Sequence, residues 1–257
     1  TVNAPINWVS SKSLTFLTNN NTLAGSNGVL TINQAISGGG ALSFSNIGFN
    51  GTSEPGTINI KAAVAATGGV TILNGTTGAG TLNIGTGGSI TFAAAQTIQT
   101  INNTGGTATF NGNATFTTGG FSGGTTTFNG TANNVTDLNL SNSATVTANG
   151  PLTVKGTAQL TGTPTLNGSG KIDLIATAST ALDWQGGTIS GAGALSLSGG
   201  ANAVITGTDV TLGRNFDQTN GEVNINGAGS VVMSGNPTWT IGAGRSVILN
   251  STATREI

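Results

Sequence analysis

The acidic residues that lie closest together in this sequence are Asp209, Asp217 and Glu222, with Arg214 among them. Two carboxyl groups held roughly 5 to 10 Å apart can cleave a glycosidic bond. The segment therefore keeps open a polysaccharide-active enzyme, which replacement of Asp217 would test. A polar loop with local ion pairs explains the same residues more simply, and we favour it. Phe216, inside this loop, indicates a bulge that contacts another surface.

Other residue types that perform enzyme chemistry are missing. The chain has no His, Cys or Tyr, which excludes Ser-His and Cys-His catalysis and leaves carboxylates as the only strong ligands for zinc. The Gly-rich turn at 191–194 lacks the Asp that calcium-binding repeats carry. We therefore predict no catalytic residue, no cofactor and no metal site, and a protein that is not an enzyme.

Threonine pairs raise a third class of function. The units TAT at 107–109, TTT at 125–127 and TVT at 145–147 repeat Thr-x-Thr, and regular rows of Thr on a flat surface can order water and bind ice. Because the starts of these units are spaced unequally and the units fade elsewhere in the chain, we rank ice binding behind the other functions.

Charge argues against two kinds of partner. Only 6% of the residues are charged, seven basic and eight acidic, whereas an ordinary soluble domain has about 25%. Recognition of nucleic acid or of an acidic membrane surface needs clustered Lys or Arg. No apolar run approaches the roughly 18 residues of a membrane span. We predict neither a nucleic-acid partner nor a membrane span in this segment.

Apolar residues recur in pairs that are separated by one residue, usually Thr, Asn or Ser. This period of two is typical of a strand with one buried face, and a comparable helical period is absent. Only KAAVAA at 61–66 and FAAAQ at 92–96 resemble helical turns. The pairs are Leu30/Ile32, Leu42/Phe44, Ile58/Ile60, Leu82/Ile84, Ile90/Phe92, Leu138/Leu140, Leu152/Val154, Ile172/Leu174, Leu195/Leu197, Val210/Leu212, Val223/Ile225 and Trp239/Ile241.

Turn signals separate these strands every 8 to 12 residues or so, mostly as Asn-Gly and Gly-Gly, which tolerate positive φ. The related units ATFNG at 108–112 and TTFNG at 126–130 are offset by one plausible coil of a parallel β-helix. The rival is an antiparallel fold, best supported at 107–116, where Asn111-Gly112 lies between two alternating runs as in a hairpin. We favour a single continuous β-solenoid over residues 1–257.

The uncharged stretch WQGGTISGAGALSLSGG at 184–200 then reads as about one coil of that scaffold. Its alternation predicts that Leu195 and Leu197 point into the core and that Ser196 and Ser198 point out. Trp184 closes the preceding strand, and we expect it to pack inside or to cap a corner.

The N-terminal portion carries a family resemblance. The run at 1–45 contains VNAPINW, then LTF, then INQAISGGGAL, and it resembles the repeat arrays of large secreted adhesins of the filamentous-haemagglutinin type, which are exported by two-partner secretion. The later stretch at 184–200 is similar to repeats of autotransporter-like surface proteins. The resemblance implies a right-handed parallel β-helix outside the cell. It covers about 45 residues well, and the family's secretion domain and an Arg-Gly-Asp motif are not visible.

We therefore expect an all-β, right-handed parallel β-helix that is a segment of a longer chain. Its expected function is the extracellular, non-catalytic shaft of a bacterial surface adhesin or surface fibre. The alternatives are a polysaccharide-active β-helix and an ice-binding solenoid. Its expected partners are neighbouring solenoid segments or further copies joined end to end, because a truncated solenoid exposes unpaired strand edges; the cell-surface ligand is open.

Overall fold

The computed structural model describes residues 1–8, 13–17, 29–46, 56–66, 69–74, 80–177, 180–207, 209–226 and 231–250. All of its regular secondary structure is β-strand. KAAVAA and FAAAQ, the two possible helical turns, give a strand over 63–66 and a bend. The strands are β1 (Ile6–Trp8), β2 (Leu14–Leu17), β3 (Val29–Ile32), β4 (Ile36–Gly38), β5 (Leu42–Asn46), β6 (Gly56–Ile60), β7 (Ala63–Ala66), β8 (Val70–Asn74), β9 (Gly80–Ile84), β10 (Ser89–Phe92), β11 (Gln96–Phe110), β12 (Ala114–Phe128), β13 (Asn133–Asn142), β14 (Thr145–Ala148), β15 (Leu152–Val154), β16 (Ala158–Gly162), β17 (Thr165–Asn167), β18 (Ile172–Leu174), β19 (Thr180–Trp184), β20 (Thr188–Ser190), β21 (Leu195–Leu197), β22 (Asn202–Ile205), β23 (Val210–Gly213), β24 (Phe216–Gln218), β25 (Val223–Asn226), β26 (Val231–Met233), β27 (Trp239–Ile241) and β28 (Val247–Asn250).

The described strands stack as a parallel β-solenoid, which confirms the fold predicted from the sequence. From β13 onward each strand pairs in parallel with the strand three places later in the chain, so one coil contains three strands. Strands in successive coils lie roughly 4.8 Å apart. Parallel crossovers are right-handed in nearly all proteins, and right-handed winding stays our expectation here.

The three strands of each coil define three faces, which we call A, B and C. Face A consists of β1, β4, β7, β10, 107–110 of β11, 125–128 of β12, β14, β17, β20, β23 and β26. Face B continues from 96–98 of β11 through 114–116 of β12 and 133–135 of β13 into β15, β18, β21, β24 and β27. Face C consists of β3, β6, β9, 100–103, 118–121, 138–142, β16, β19, β22, β25 and β28.

Coil length varies although the stacking is continuous. Hydrogen-bonded partners on adjacent coils are separated by 18 residues at Asn111 and Asn129 and by 30 residues at Asn3 and Asn33. In the early coils β2, β5 and β8 form a separate parallel sheet in the chain position of face B. Differences in coil length are therefore absorbed at the corners, and the strands stay in register.

The hairpin that the rival antiparallel fold requires at 107–116 does not form. Phe110 pairs in parallel with Phe92 on one side and with Phe128 on the other, and Phe116 pairs in parallel with Ile98 and with 135. The Asn111-Gly112 step is thus a corner between faces A and B. The 18-residue offset of the ATFNG and TTFNG units is one coil, as predicted.

Inward-facing apolar residues fill the tube in one continuous core. The alternating pairs that we list above are buried, apart from the last. Ile241 is 50% exposed and Trp239 is only partly buried, because β27 belongs to the last coil that the structure describes and no described coil lies over it. The prediction of burial is wrong for this pair.

Aromatic rings stack beneath face A. Phe92, Phe110 and Phe128 occupy the same inward position in three successive coils. Their ring centroids are 4.8 and 5.4 Å apart, with interplanar angles of 18° and 22°. The rings therefore form a stacked column in the core beneath face A, which adds aromatic contacts between these coils.

The buried side-chain amides of Asn103 and Asn133 form hydrogen bonds with the backbone of the corners from inside the core. Asn103 donates Nδ2 to the carbonyl oxygens of Gly106 and Thr125 and to Thr126 Oγ1, and its Oδ1 accepts the Gly105 and Gly106 amides. Asn133 bonds the backbone of three coils in the same way, through the residues 114, 130 and 151. Such side chains satisfy backbone groups that a turn would otherwise leave unpaired in the core.

Candidate functional surfaces

Asp209, Asp217 and Glu222, the acids that lie closest together in the sequence, do not come together as one group of three. Asp209 lies at a corner with φ of 53°, and Asp217 points outward from face B. Glu222 lies at the next corner, where its carboxylate accepts a hydrogen bond from Ser246 Oγ at 3.3 Å. Phe216, which we expected to form an outward bulge, is buried in the core at 1% exposure. The prediction of a polar loop with a contacting Phe is wrong.

Arg214 is buried, and it bonds backbone instead of a carboxylate. Its Nη2 donates to the carbonyl oxygens of Gly168 at 2.8 Å and Gly170 at 3.1 Å, two coils away. It passes the coil at 191–193, where Gly residues leave room against the same corner. Nε and Nη1 have no partner among the described residues, and desolvation lowers the pKa of Arg214 to about 10. The guanidinium thus connects its own coil to the coil two turns away through hydrogen bonds, and it is not part of a local ion pair.

Face B carries the ion pair that joins Lys171 and Asp173 at 3.0 Å. Ser198 Oγ also donates to this carboxylate at 2.7 Å. Burial opposes ionisation of Asp173, but the hydrogen bonds from Ser198 and Lys171 outweigh it and hold the pKa of this carboxyl below its ordinary value. Asp217 lies two coils along the same face, with Ser196 between them.

The stretch at 184–200 lies in the structure largely as predicted. Leu195 and Leu197 are buried, and so is Trp184, whose Nε1 donates to the carbonyl of Gly186 at 2.9 Å. Ser196 points out of the core as predicted, in register with Asp173 and Asp217, although it is only 3% exposed. This segment is scaffold, and its glycines let successive corners approach closely.

Face C displays a ladder of amides that bond one another. Asn59 Nδ2 donates to Thr31 Oγ1, Asn83 Nδ2 to Asn59 Oδ1, and Asn102 Nδ2 to Asn83 Oδ1, at 3.2, 2.8 and 2.9 Å. The next rung is Gly120, which has no side chain to continue the ladder. Asn139 follows, and a groove of about 520 Å³ lies over this gap. The amides of face C are mainly committed to one another.

Face A displays two rows of polar side chains in register, all of them hydroxyls except Asn167 at the end of the second row. We call them the threonine ranks. The first rank is Ser89, Thr107, Thr125, Thr145, Thr165, Thr188 and Thr211, and the second is Thr91, Thr109, Thr127, Thr147 and Asn167. Their side chains are exposed or half-buried and make no hydrogen bond to any residue in the described part of the chain. Unlike the amides of face C, they keep their hydrogen-bonding capacity for solvent.

The unequal sequence spacing of the Thr-x-Thr units does not disturb these ranks. Extra residues are accommodated at the corners, both between faces A and B after Phe128 and at the turn that leads into face A, where Asn142 has φ of 52°. Thr125, Thr145 and Thr165 therefore remain direct neighbours across the coils. Fixed spacing in sequence is the wrong criterion for this surface, because register is set by strand pairing and not by coil length.

Two kinds of feature are absent from the part of the chain that the structure covers, acidic clusters that could hold a metal ion and helices that could span a membrane. No three Asp or Glu side chains there come together to hold a metal ion. The described residues also form no helix that is long and apolar enough to cross a membrane. No protein-family model, no curated protein and no solved structure matches this chain.

Proposed function

We propose that this chain is a non-catalytic shaft of a bacterial surface adhesin or surface fibre, located outside the cell. The observation that supports it best is the uninterrupted parallel pairing of described coils around a single core. Backbone hydrogen bonds that run along the axis join every coil to the next, so a pull along the axis loads many bonds at once. The resemblance of 1–45 to secreted adhesin repeats points in the same direction.

The distribution of charge is consistent with a passive role. The acids of the segment 209–222 lie on different elements, Asp209 and Glu222 at two corners and Asp217 on face B, whereas a polysaccharide-active enzyme requires two carboxyl groups held close together. That enzyme is the alternative function. Release of reducing sugar from a polysaccharide panel by the native chain, lost in Asp217→Asn, would support the enzyme and contradict the shaft.

Antibodies raised against the chain test the location directly. A surface shaft is accessible on intact cells of the native organism, and we expect equal antibody labelling before and after permeabilisation. Labelling that appears only after permeabilisation would contradict the proposal. An antibody against a cytoplasmic protein of the same cells is the control for cell integrity.

End-to-end association of copies belongs to the same proposal. In the last described coil, residues that would be covered by another coil are exposed, including Met233 at 37%, Ile241 at 50% and Leu249 at 44%. A second copy or a further solenoid segment would bury these side chains and pair the adjacent strands. Sedimentation velocity over a hundredfold range of concentration should show growing species; a single monomeric boundary throughout would contradict association.

A further inference from the structure

We propose that the threonine ranks of face A form an ice-binding surface. The ligand is crystalline water, which offers hydrogen-bond donors and acceptors at repeated positions on a plane. This function goes beyond the proposed shaft and does not depend on it. The same surface would be present if the solenoid were not part of an adhesin.

The ranks form a two-dimensional grid. Along a rank, equivalent residues such as Thr107, Thr125 and Thr145 are one coil apart, which is about 4.8 Å. Across the ranks, Thr107 and Thr109 are two residues apart on one strand, which is about 6.6 Å. A repeating grid matches a lattice surface, whereas a compact ligand would need converging groups.

Threonine suits such a grid for two reasons. Each side chain offers a hydroxyl that both donates and accepts, and none of these hydroxyls bonds to the described residues. Its branched Cβ restricts χ1, so less rotamer freedom is lost when the surface meets an ordered layer of water. Thr126, which lies between two rank residues, differs from them. It points inward, and its Oγ1 accepts a hydrogen bond from Asn103 Nδ2, whereas Thr125 and Thr127 face out.

The surface is also neutral and supported from below. The described strands of face A contain no Asp, Glu, Lys or Arg, so no ion has to lose its hydration at a contact with ice. The stack of Phe92, Phe110 and Phe128 lies under the central coils with interplanar angles of 18° and 22°. Strands that pair in register from coil to coil keep the two rows of side chains on one surface.

To test the proposal, ice is grown slowly in a solution of the chain 1–257, and three quantities are measured. These are the shape of single ice crystals, the gap between melting and freezing temperatures, and the fraction of protein in the ice, read from tryptophan absorbance. We expect faceted crystals, a measurable gap and enrichment of protein in the ice. Round crystals, no gap and exclusion from the ice, as for serum albumin, would overturn the proposal.

Matched variants assign the activity to face A. Thr127→Lys places a cation in the middle of the ranks, and Thr115→Lys places the same cation on face B of the same strand, where Thr115 is exposed. We expect Thr127→Lys to lower the gap by about tenfold, because an ammonium without a partner resists desolvation, and Thr115→Lys to retain it. Thr147→Lys repeats the test one coil further on, and far-UV circular dichroism verifies folding.

An equal decrease of the gap between melting and freezing temperatures in Thr127→Lys and Thr115→Lys, with folding intact, would overturn the assignment to face A. Retention of activity in Thr127→Lys and Thr147→Lys would overturn it as well. Binding to microcrystalline cellulose or chitin without any effect on ice would assign the ranks to a glycan surface and contradict the proposal.

Discussion

Faces A and C use the same backbone and the same coil spacing, yet their polar side chains do opposite things. On face C, Asn59, Asn83 and Asn102 bond one another from coil to coil. On face A, residues such as Thr109 and Thr127 occupy equivalent outward positions and bond no described residue. An amide carries a donor and an acceptor on separate atoms and reaches its neighbour across one coil, whereas a short hydroxyl does not make this bond here. The comparison separates a face that stabilises the rod from a face that is left for solvent.

Removing an aromatic ring beneath face A should have the largest effect on stability. We expect Phe110→Ala to lower the free energy of unfolding by about 3–5 kcal/mol, because it opens a cavity between two stacked rings. Urea denaturation followed by circular dichroism measures this change. Phe110→Leu is the control and should cost less than about 1.5 kcal/mol. A loss below 1 kcal/mol in Phe110→Ala would show that the stack does not support face A.

Breaking the amide ladder of face C should have a smaller effect. Asn83 both donates to Asn59 and accepts from Asn102, and each half-buried bond contributes about 0.5–1.5 kcal/mol. We expect Asn83→Ala to destabilise the protein by about 1–2 kcal/mol. Asn139→Ala is the matched control, since Asn139 has the same position on the face beyond the gap at Gly120 and makes no such bond in the described residues. Equal losses in the two variants would contradict the account of face C.

Acid should act through Asp173 on face B. The pKa of Asp173 is lowered in the folded protein, so the ionised carboxylate contributes stability above its unfolded pKa, and this contribution is lost as pH falls through the folded value. We expect a small decrease in the urea midpoint below about pH 4, and a smaller one in Asp173→Asn. A variant that retains the full acid sensitivity would show that Asp173 is not its source.

Removing a hydroxyl from face A should have the smallest effect. Thr127→Ala deletes a group that faces solvent and bonds no described residue, so the free energy of unfolding should change by less than about 0.5 kcal/mol. Denaturation under the conditions used for Asn83→Ala makes the comparison direct. A cost above about 1 kcal/mol would mean that the threonine ranks stabilise the rod as the amides do.

The fold could be predicted from the sequence, but the surface could be predicted only in part. Alternating pairs such as Ile172/Leu174 and the 18-residue offset of Phe110 and Phe128 predict inward positions and parallel stacking, because both depend on the local period of two. The Asn111-Gly112 step was ambiguous, since a corner and a hairpin need the same backbone freedom at Gly. Only the long-range pairing of Phe110 distinguishes them.

The surfaces were harder to predict because they depend on register between coils of different length. Thr145 and Thr165 become neighbours through strand pairing, and no local pattern fixes that pairing. The partners of Arg214 could not be predicted for the same reason. They are carbonyl groups two coils away and not the acids nearest in sequence. Arg214 directly follows the apolar strand β23, and this position is the one local signal of an unusual role.

The distance between two residues of one rank tests the stacking on which all of these conclusions depend. Because the chain has no Cys, Ser89→Cys/Thr188→Cys can carry two spin labels, which electron–electron resonance measures in solution. The two positions are five coils apart through the pairing at 107, 125, 145 and 165. We predict a narrow distribution centred at about 24 Å, apart from the length of the labels. A broad distribution, or a mean beyond about 35 Å, would contradict a parallel solenoid with face A in register.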